Sequence, residues 1–89
     1  MAKVFFTSNL RRHVDCATMD AEGGTVREVL AQVFARQDRL SAYVLDDQGS
    51  LRKHMTILVD GRRIGDLEKL SDPVNPSSEI WVMQALSGG

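Results

Sequence analysis

The residues of this chain best placed to take part in chemistry are its last two, Gly88 and Gly89, which follow Leu86 and Ser87. Neither glycine carries a side chain, so a Gly-Gly end slides through a narrow channel and adopts backbone angles that other residues resist. What it offers at its tip is the α-carboxylate of Gly89, presented to another protein's active site. That is the layout of a substrate rather than a catalyst, because a carboxylate is a poor electrophile until something activates it. On this reading residues 1–86 form a domain and residues 87–89 a flexible tail, with Leu86, Ser87 and Gly88 leading to the reactive Gly89. A Gly-Gly end by itself is equally well a frayed terminus. Its meaning depends on the element that it leaves.

That element is a strand. Ile80 and Val82 alternate with Trp81 and Met83, the period-two pattern of β-structure, before the pattern dissolves into Ala85, Leu86 and Ser87. If Ile80 and Val82 face a core, the large side chains of Trp81 and Met83 point out of the opposite side of the sheet. Earlier in the chain, residues 3–7 are apolar and β-rich and predict an opening strand. Ser8, Asn9 and the polar residues through His13 predict a turn, and residues 14–20 the returning strand of a hairpin. Ala21, Glu22, Gly23 and Gly24 then break the pattern. Thr25 has the side chain of a helix N-cap, and Glu28 three residues later completes a capping box. Val26, Val29, Leu30, Val33 and Phe34 recur at helical spacing as one apolar stripe, with Arg27, Gln32 and Arg36 off it.

Beyond the helix, residues 40–45 predict a short strand and residues 46–50 a turn rich in side-chain caps. Residues 54–60 predict a cleaner strand, with Met55, Ile57 and Val59 on one face and His54, Thr56 and Leu58 on the other. Asp60-Gly61 ends it as a strong turn dipeptide, and Ile64 resumes pairing briefly. Residues 65–70 have short-turn character. Pro73 and Pro76 keep the approach to the last strand in a loop. The predicted order is β-β-α-β-β with minor strands between.

Composition narrows the classes of function. The 89 residues suffice for one small core. Eleven basic residues against twelve acidic ones leave a formal charge of -1, with no cationic excess for a phosphate backbone, so nucleic acid is not an expected partner. No apolar run is long enough to span a bilayer, and no membrane partner is expected. A single cysteine, Cys16, forms no internal disulfide and reads as a small buried hydrophobe, which fits a reducing, cytoplasmic setting. His13 and His54 lack metal-ligand spacing. Arg11-Arg12 and Arg62-Arg63 read as solvated pairs beside turns, although a basic pair near the tail also suits an acidic groove on a partner.

A hairpin, a helix laid across it, a return strand, a loop and a final strand ending in Gly-Gly resembles the β-grasp fold of the ubiquitin superfamily, and within it the MoaD/ThiS sulfur-carrier family. The residues that carry the resemblance run through most of the chain. Lys3-Val4-Phe5-Phe6 and Thr25-Val26-Arg27-Glu28-Val29-Leu30 resemble the family's opening strand and helix start. Residues 49–61 resemble its arginine-bearing lead into a hydrophobic strand that closes on Asp-Gly, and residues 67–74 stand where it has a Leu- and Pro-bearing segment. Two stretches depart from it: Asn75-Pro76-Ser77-Ser78-Glu79 replaces an Asp-Gly-Asp-Glu turn, and Gln84-Ala85-Leu86-Ser87 replaces a Pro-Pro-Val-Ala-like approach to the terminal glycines.

The resemblance implies an α+β fold, a mixed sheet with one main helix packed across it. It implies that first and last strands are neighbours, so that Phe5 joins Trp81 and Met83 in one exposed, partner-binding patch. It further implies that the chain is not an enzyme and binds no cofactor. Gly89 would be adenylated by a MoeB/ThiF-like activating enzyme that uses ATP and magnesium, then converted to a thiocarboxylate by a sulfur donor such as a persulfide-bearing protein. A downstream biosynthetic enzyme would accept the sulfur for a molybdopterin, thiazole or cysteine precursor or a specialised metabolite. Two other readings share the fold: a ubiquitin-like modifier joined to lysines through Gly89, and an interaction module with an inert tail.

Overall fold

The computed structural model describes residues 1–7 and 18–84. The tail residues Leu86, Ser87, Gly88 and Gly89, the predicted turn at residues 8–13, Cys16 and the first part of the predicted second strand lie outside the described residues.

Alternation sets the sheet. In β1 (Ala2–Phe6), Ala2, Val4 and Phe6 are buried while Lys3 and Phe5 point the other way. β2 (Thr18–Ala21) runs antiparallel to it, with Met19 and Ala21 on the buried side. It continues one residue past the predicted end at residue 20, because Ala21 pairs with Ala2 and is fully covered instead of starting the breaker. β3 (Met55–Val59) and the short β4 (Arg62–Arg63) form a hairpin around Asp60 and Gly61. Both turn residues have positive φ, 52° and 86°, as the favoured two-residue hairpin turn requires. β5 (Glu79–Gln84) lies in the middle, parallel to β1 and antiparallel to β3. The sheet order is β2-β1-β5-β3-β4, mixed in direction as expected.

The helix α1 (Val26–Arg36) packs its stripe of Val26, Val29, Leu30 and Val33 onto the sheet, with Phe34 half-buried at its margin. Its first backbone donors are accounted for one by one. Val26 N–H donates to Asp72 O, Arg27 N–H to Leu70 O, and Glu28 N–H to Thr25 Oγ1 at 3.3 Å. The Glu28 carboxylate reaches back as the capping box predicts, but to the N–H of Gly24, one residue before the cap, at 2.7 Å. The Arg27 guanidinium then clamps the loops below the helix, donating from Nε to Lys69 O (2.6 Å) and from Nη2 to Gly49 O (3.1 Å).

Of residues 40–45, expected as a short strand, 40–44 belong to a second helix, α2 (Asp38–Val44). Leu40 and Val44 stand four residues apart, so one turn of helix puts both on the same face, and both are fully buried. Ser41 Oγ donates to Asp38 O within the first turn. Leu45 leaves the helix in extended geometry and forms a single bridge to Leu51.

The loop at residues 65–72 is built on two carboxylates. Asp66 accepts from the N–H groups of Glu68, Lys69 and Ser71 and from Ser71 Oγ, and Asp72 accepts from the N–H groups of Gly65 and Asp66. The Lys69 N–H foremost, followed by the Ser71 hydroxyl, holds the Asp66 carboxyl at about 2, and the Gly65 and Asp66 N–H groups lower that of Asp72. Among the described residues no helix is long and apolar enough to cross a membrane.

Candidate functional site

The site is built on the outer face of β5, and the hairpin turn fixes where that strand starts. Asp60 N–H donates to Glu79 O at 2.9 Å. The Asp60 carboxylate accepts from Glu79 N–H (2.9 Å) and from the Ser78 hydroxyl (3.1 Å), and Ser78 is itself buried. Lys3 N–H donates to Ser78 O from the other side. The first residues of β5 are thus tied to both neighbouring strands before the alternation begins.

From there the two faces diverge. Ile80 and Val82 enter the core, fully covered. Trp81 and Met83 lie half-buried on the opposite face. The register places Phe5 beside Trp81 on one side and Leu58 beside it on the other, with Arg63 next in the row. Met83 pairs with Thr56 one step further along. Phe5 and Trp81 stack with ring centroids 4.5 Å apart and an interplanar angle of 12°. Offset stacking of this kind adds about 1 kcal/mol to the burial of the two rings.

The structure therefore brings the three sequence-predicted patch residues onto one face, Phe5 and Trp81 in direct contact and Met83 at the end of the strand nearest residue 85. Sequence reasoning left Leu58 out of this group. The signal was present, since Leu58 is out of phase with Met55 and Ile57, but only the β3–β5 register shows that it is the cross-strand neighbour of Trp81. At the opposite end of the face the character changes to charge: Lys3 pairs in register with Asp20 and Glu79. The apolar part of the outer face is thus confined to its middle and to the end at which β5 gives way to residue 85.

His54 is exposed, and among the described residues no group of three or more His, Cys, Asp or Glu side chains is placed to hold a metal ion. Among the described residues the arrangement is an apolar, aromatic surface on the strand that precedes the segment ending in Gly88-Gly89.

The ThiS family model matches residues 4–89. No curated protein sequence matches the chain. Among solved structures, the chain is similar to the BexX/CysO complex of Amycolatopsis orientalis, with a TM-score of 0.87 at 22% identity over 100% of both chains. It is similar to the small archaeal modifier protein 1 of Methanosarcina acetivorans, with a TM-score of 0.83 at 28% identity over 99% of this chain and 95% of that one. It is also similar to CysO of Mycobacterium tuberculosis, described as an antigen, with a TM-score of 0.85 at 19% identity over 97% and 100%.

Proposed function

The chain belongs to the ThiS family of ubiquitin-like β-grasp sulfur carriers, and we propose that it works as a protein co-substrate whose C-terminal Gly89 is activated and thiocarboxylated by a partner enzyme. The observation that carries this reading is the place of β5 in the chain. The strand that bears the stacked Trp81 on its outer face, β5, is the strand that precedes Gly88-Gly89 in the chain, so the docking face lies directly upstream of the reactive carboxylate.

The chemistry follows from the carboxylate. In the active site of a MoeB/ThiF-like enzyme, with ATP and magnesium held by that enzyme, a Gly89 carboxylate oxygen attacks the α-phosphorus and pyrophosphate leaves. The terminal sulfur of a persulfide on the sulfur donor then attacks the Gly89 carbonyl carbon, the acyl C–O bond breaks, and AMP departs with that bond's electron pair as a phosphate monoester. A second partner thiol attacks the donor's sulfur in the resulting acyl disulfide. This releases the thiocarboxylate and leaves a disulfide on the partner. The catalytic groups belong to the partners, and the carrier supplies the docking face and an arm without side chains at its tip. A reducing, cytoplasmic setting suits a product that oxidises readily. A biosynthetic enzyme takes the sulfur onward.

The intact mass of the protein from its native host tests the reading, because exchange of one carboxylate oxygen for sulfur adds roughly sixteen mass units at the terminus. An unshifted mass after incubation with the activating enzyme, ATP and a sulfur donor would refute it. The likeness to a small archaeal modifier protein favours one further reading, conjugation through Gly89 to lysine amines. That reading requires a ladder of heavier target proteins that is lost on deletion of Gly89.

A further inference from the structure

At the hairpin edge of the sheet lies a notch of about 250 Å³ that the Phe5–Trp81 face does not use. Leu51, Ile64 and Leu67 supply its apolar lining, and Leu67 is 51% exposed, one of the few large aliphatic side chains so placed. Lys53 and Arg63 stand in the same lining. Both are exposed, and neither makes an ion pair or side-chain hydrogen bond with a described residue. The wall of the notch is the bare edge of β3. β4 pairs with β3 only at Leu58 and Val59, after which Ile64 N–H donates to Ile57 O and the cover ends. A strand residue directs its N–H and C=O to the same side, and successive residues alternate. Ile57 N–H and Met55 C=O therefore both face the notch, without a backbone partner there among the described residues.

We propose that this notch is a docking site for an acidic, extended segment of a partner protein, which adds to β3 as a strand, seats an aliphatic side chain against Leu51, Ile64 and Leu67, and sets carboxylates against Lys53 and Arg63. The open backbone groups supply the pairing, and the apolar lining supplies a pocket for an alternate side chain. The two unpaired cations choose the sign of the occupant. They also argue against a second copy of this chain, which would bring its own Lys53 and Arg63 to the same edge, the charge pattern by which edge strands resist self-pairing. The notch lies at the tail end of the sheet, since Met55 pairs with Gln84. A segment held there lies one strand away from the end of β5, across β3, while the Trp81 face remains free for the activating enzyme.

The test is a titration of isotope-labelled protein with a synthetic nonapeptide that alternates isoleucine or valine with glutamate, and with a control peptide carrying lysine for glutamate. The acidic peptide is expected to shift the amide signals of Met55, Thr56, Ile57 and Leu67 and to slow hydrogen exchange at the Ile57 amide. Lys53→Glu should weaken it by about tenfold or more, and Leu67→Ser, at an exposed position that the fold tolerates, should weaken it as well. Trp81→Ala should leave it unchanged. Absence of shifts at those amides, an equal response to the lysine peptide, or shifts confined to Phe5 and Trp81 would overturn the proposal. Concentration-dependent protection of the Ile57 amide without peptide would assign the edge to a second copy and overturn it equally.

Discussion

On β5, Ile80 and Val82 are fully covered, while Trp81, which lies between them in sequence, is half-buried on the other side of the same strand. The inner side meets α1, α2 and Leu70. On the outer side Trp81 meets Phe5 and Leu58 from the flanking strands, and no described helix packs over them. Both faces are apolar, so hydrophobicity alone does not tell them apart. What separates them, among the described residues, is whether a helix of the same chain covers them. Where it does, a side chain contributes to folding. Where it does not, the same kind of side chain is left available for another protein.

The sharpest way to break this comparison is to truncate neighbours on opposite faces. Ile80→Ala removes a fully buried side chain and should destabilise the domain by about 3 kcal/mol, read from the urea midpoint. Trp81→Ala should leave a folded domain and instead weaken binding of the activating enzyme by about 2 kcal/mol, read by calorimetry. If the tryptophan variant unfolded as readily as the isoleucine variant, or bound normally, the division between faces would fail. Thr25→Ala probes how the inner cover is held. It removes the acceptor for Glu28 N–H at the start of α1 and should cost about 1 kcal/mol without affecting partner binding.

Acid probes the same cover through the loop at residues 65–72. Both Asp66 and Asp72 have folded-state values lowered from the ordinary 3.8, Asp66 to about 2. A lowered value means that the folded state favours the ionised form, so the stabilising effect is complete above 3.8 and is lost as pH falls through the folded values. Asp66→Asn should flatten that acid limb in a series of urea midpoints, and an unchanged limb would remove Asp66 from the account. The smallest effect on stability is expected from deletion of residues 87–89. Two of the three have no side chain to bury, so the Tm should stay nearly constant, while pyrophosphate release by the activating enzyme should stop.

The strands with clean alternation, β1, β3 and β5, and the helix with its capping pair were legible from residue order because local period and burial agree there. The central site was legible in part for the same reason: Trp81 and Met83 are out of phase with Ile80 and Val82, and Phe5 with Val4 and Phe6. Leu58 was not recognised as a member because membership is a property of register between strands distant in sequence. Residues 40–45 misled because Tyr43 and Val44 favour strands individually. The choice was made by Leu40 and Val44 reaching the core together, which a window of six residues does not reveal. Ala21 reads as a breaker beside Gly23-Gly24, yet its small side chain is what lets it lie fully buried opposite Ala2.

The parallel pairing of β1 with β5 bears on the order of events during folding. The first and last strands of the sheet meet at its centre, so the pairing that completes the sheet closes a loop containing every other element. Such a contact carries a large closure entropy and belongs late on the folding route. The ring stack between Phe5 and Trp81 forms only when that closure has happened. A partially folded chain, even with its Gly-Gly end already exposed, would lack the aromatic surface that an activating enzyme is proposed to grip, so ATP would be spent only on carriers whose fold is complete.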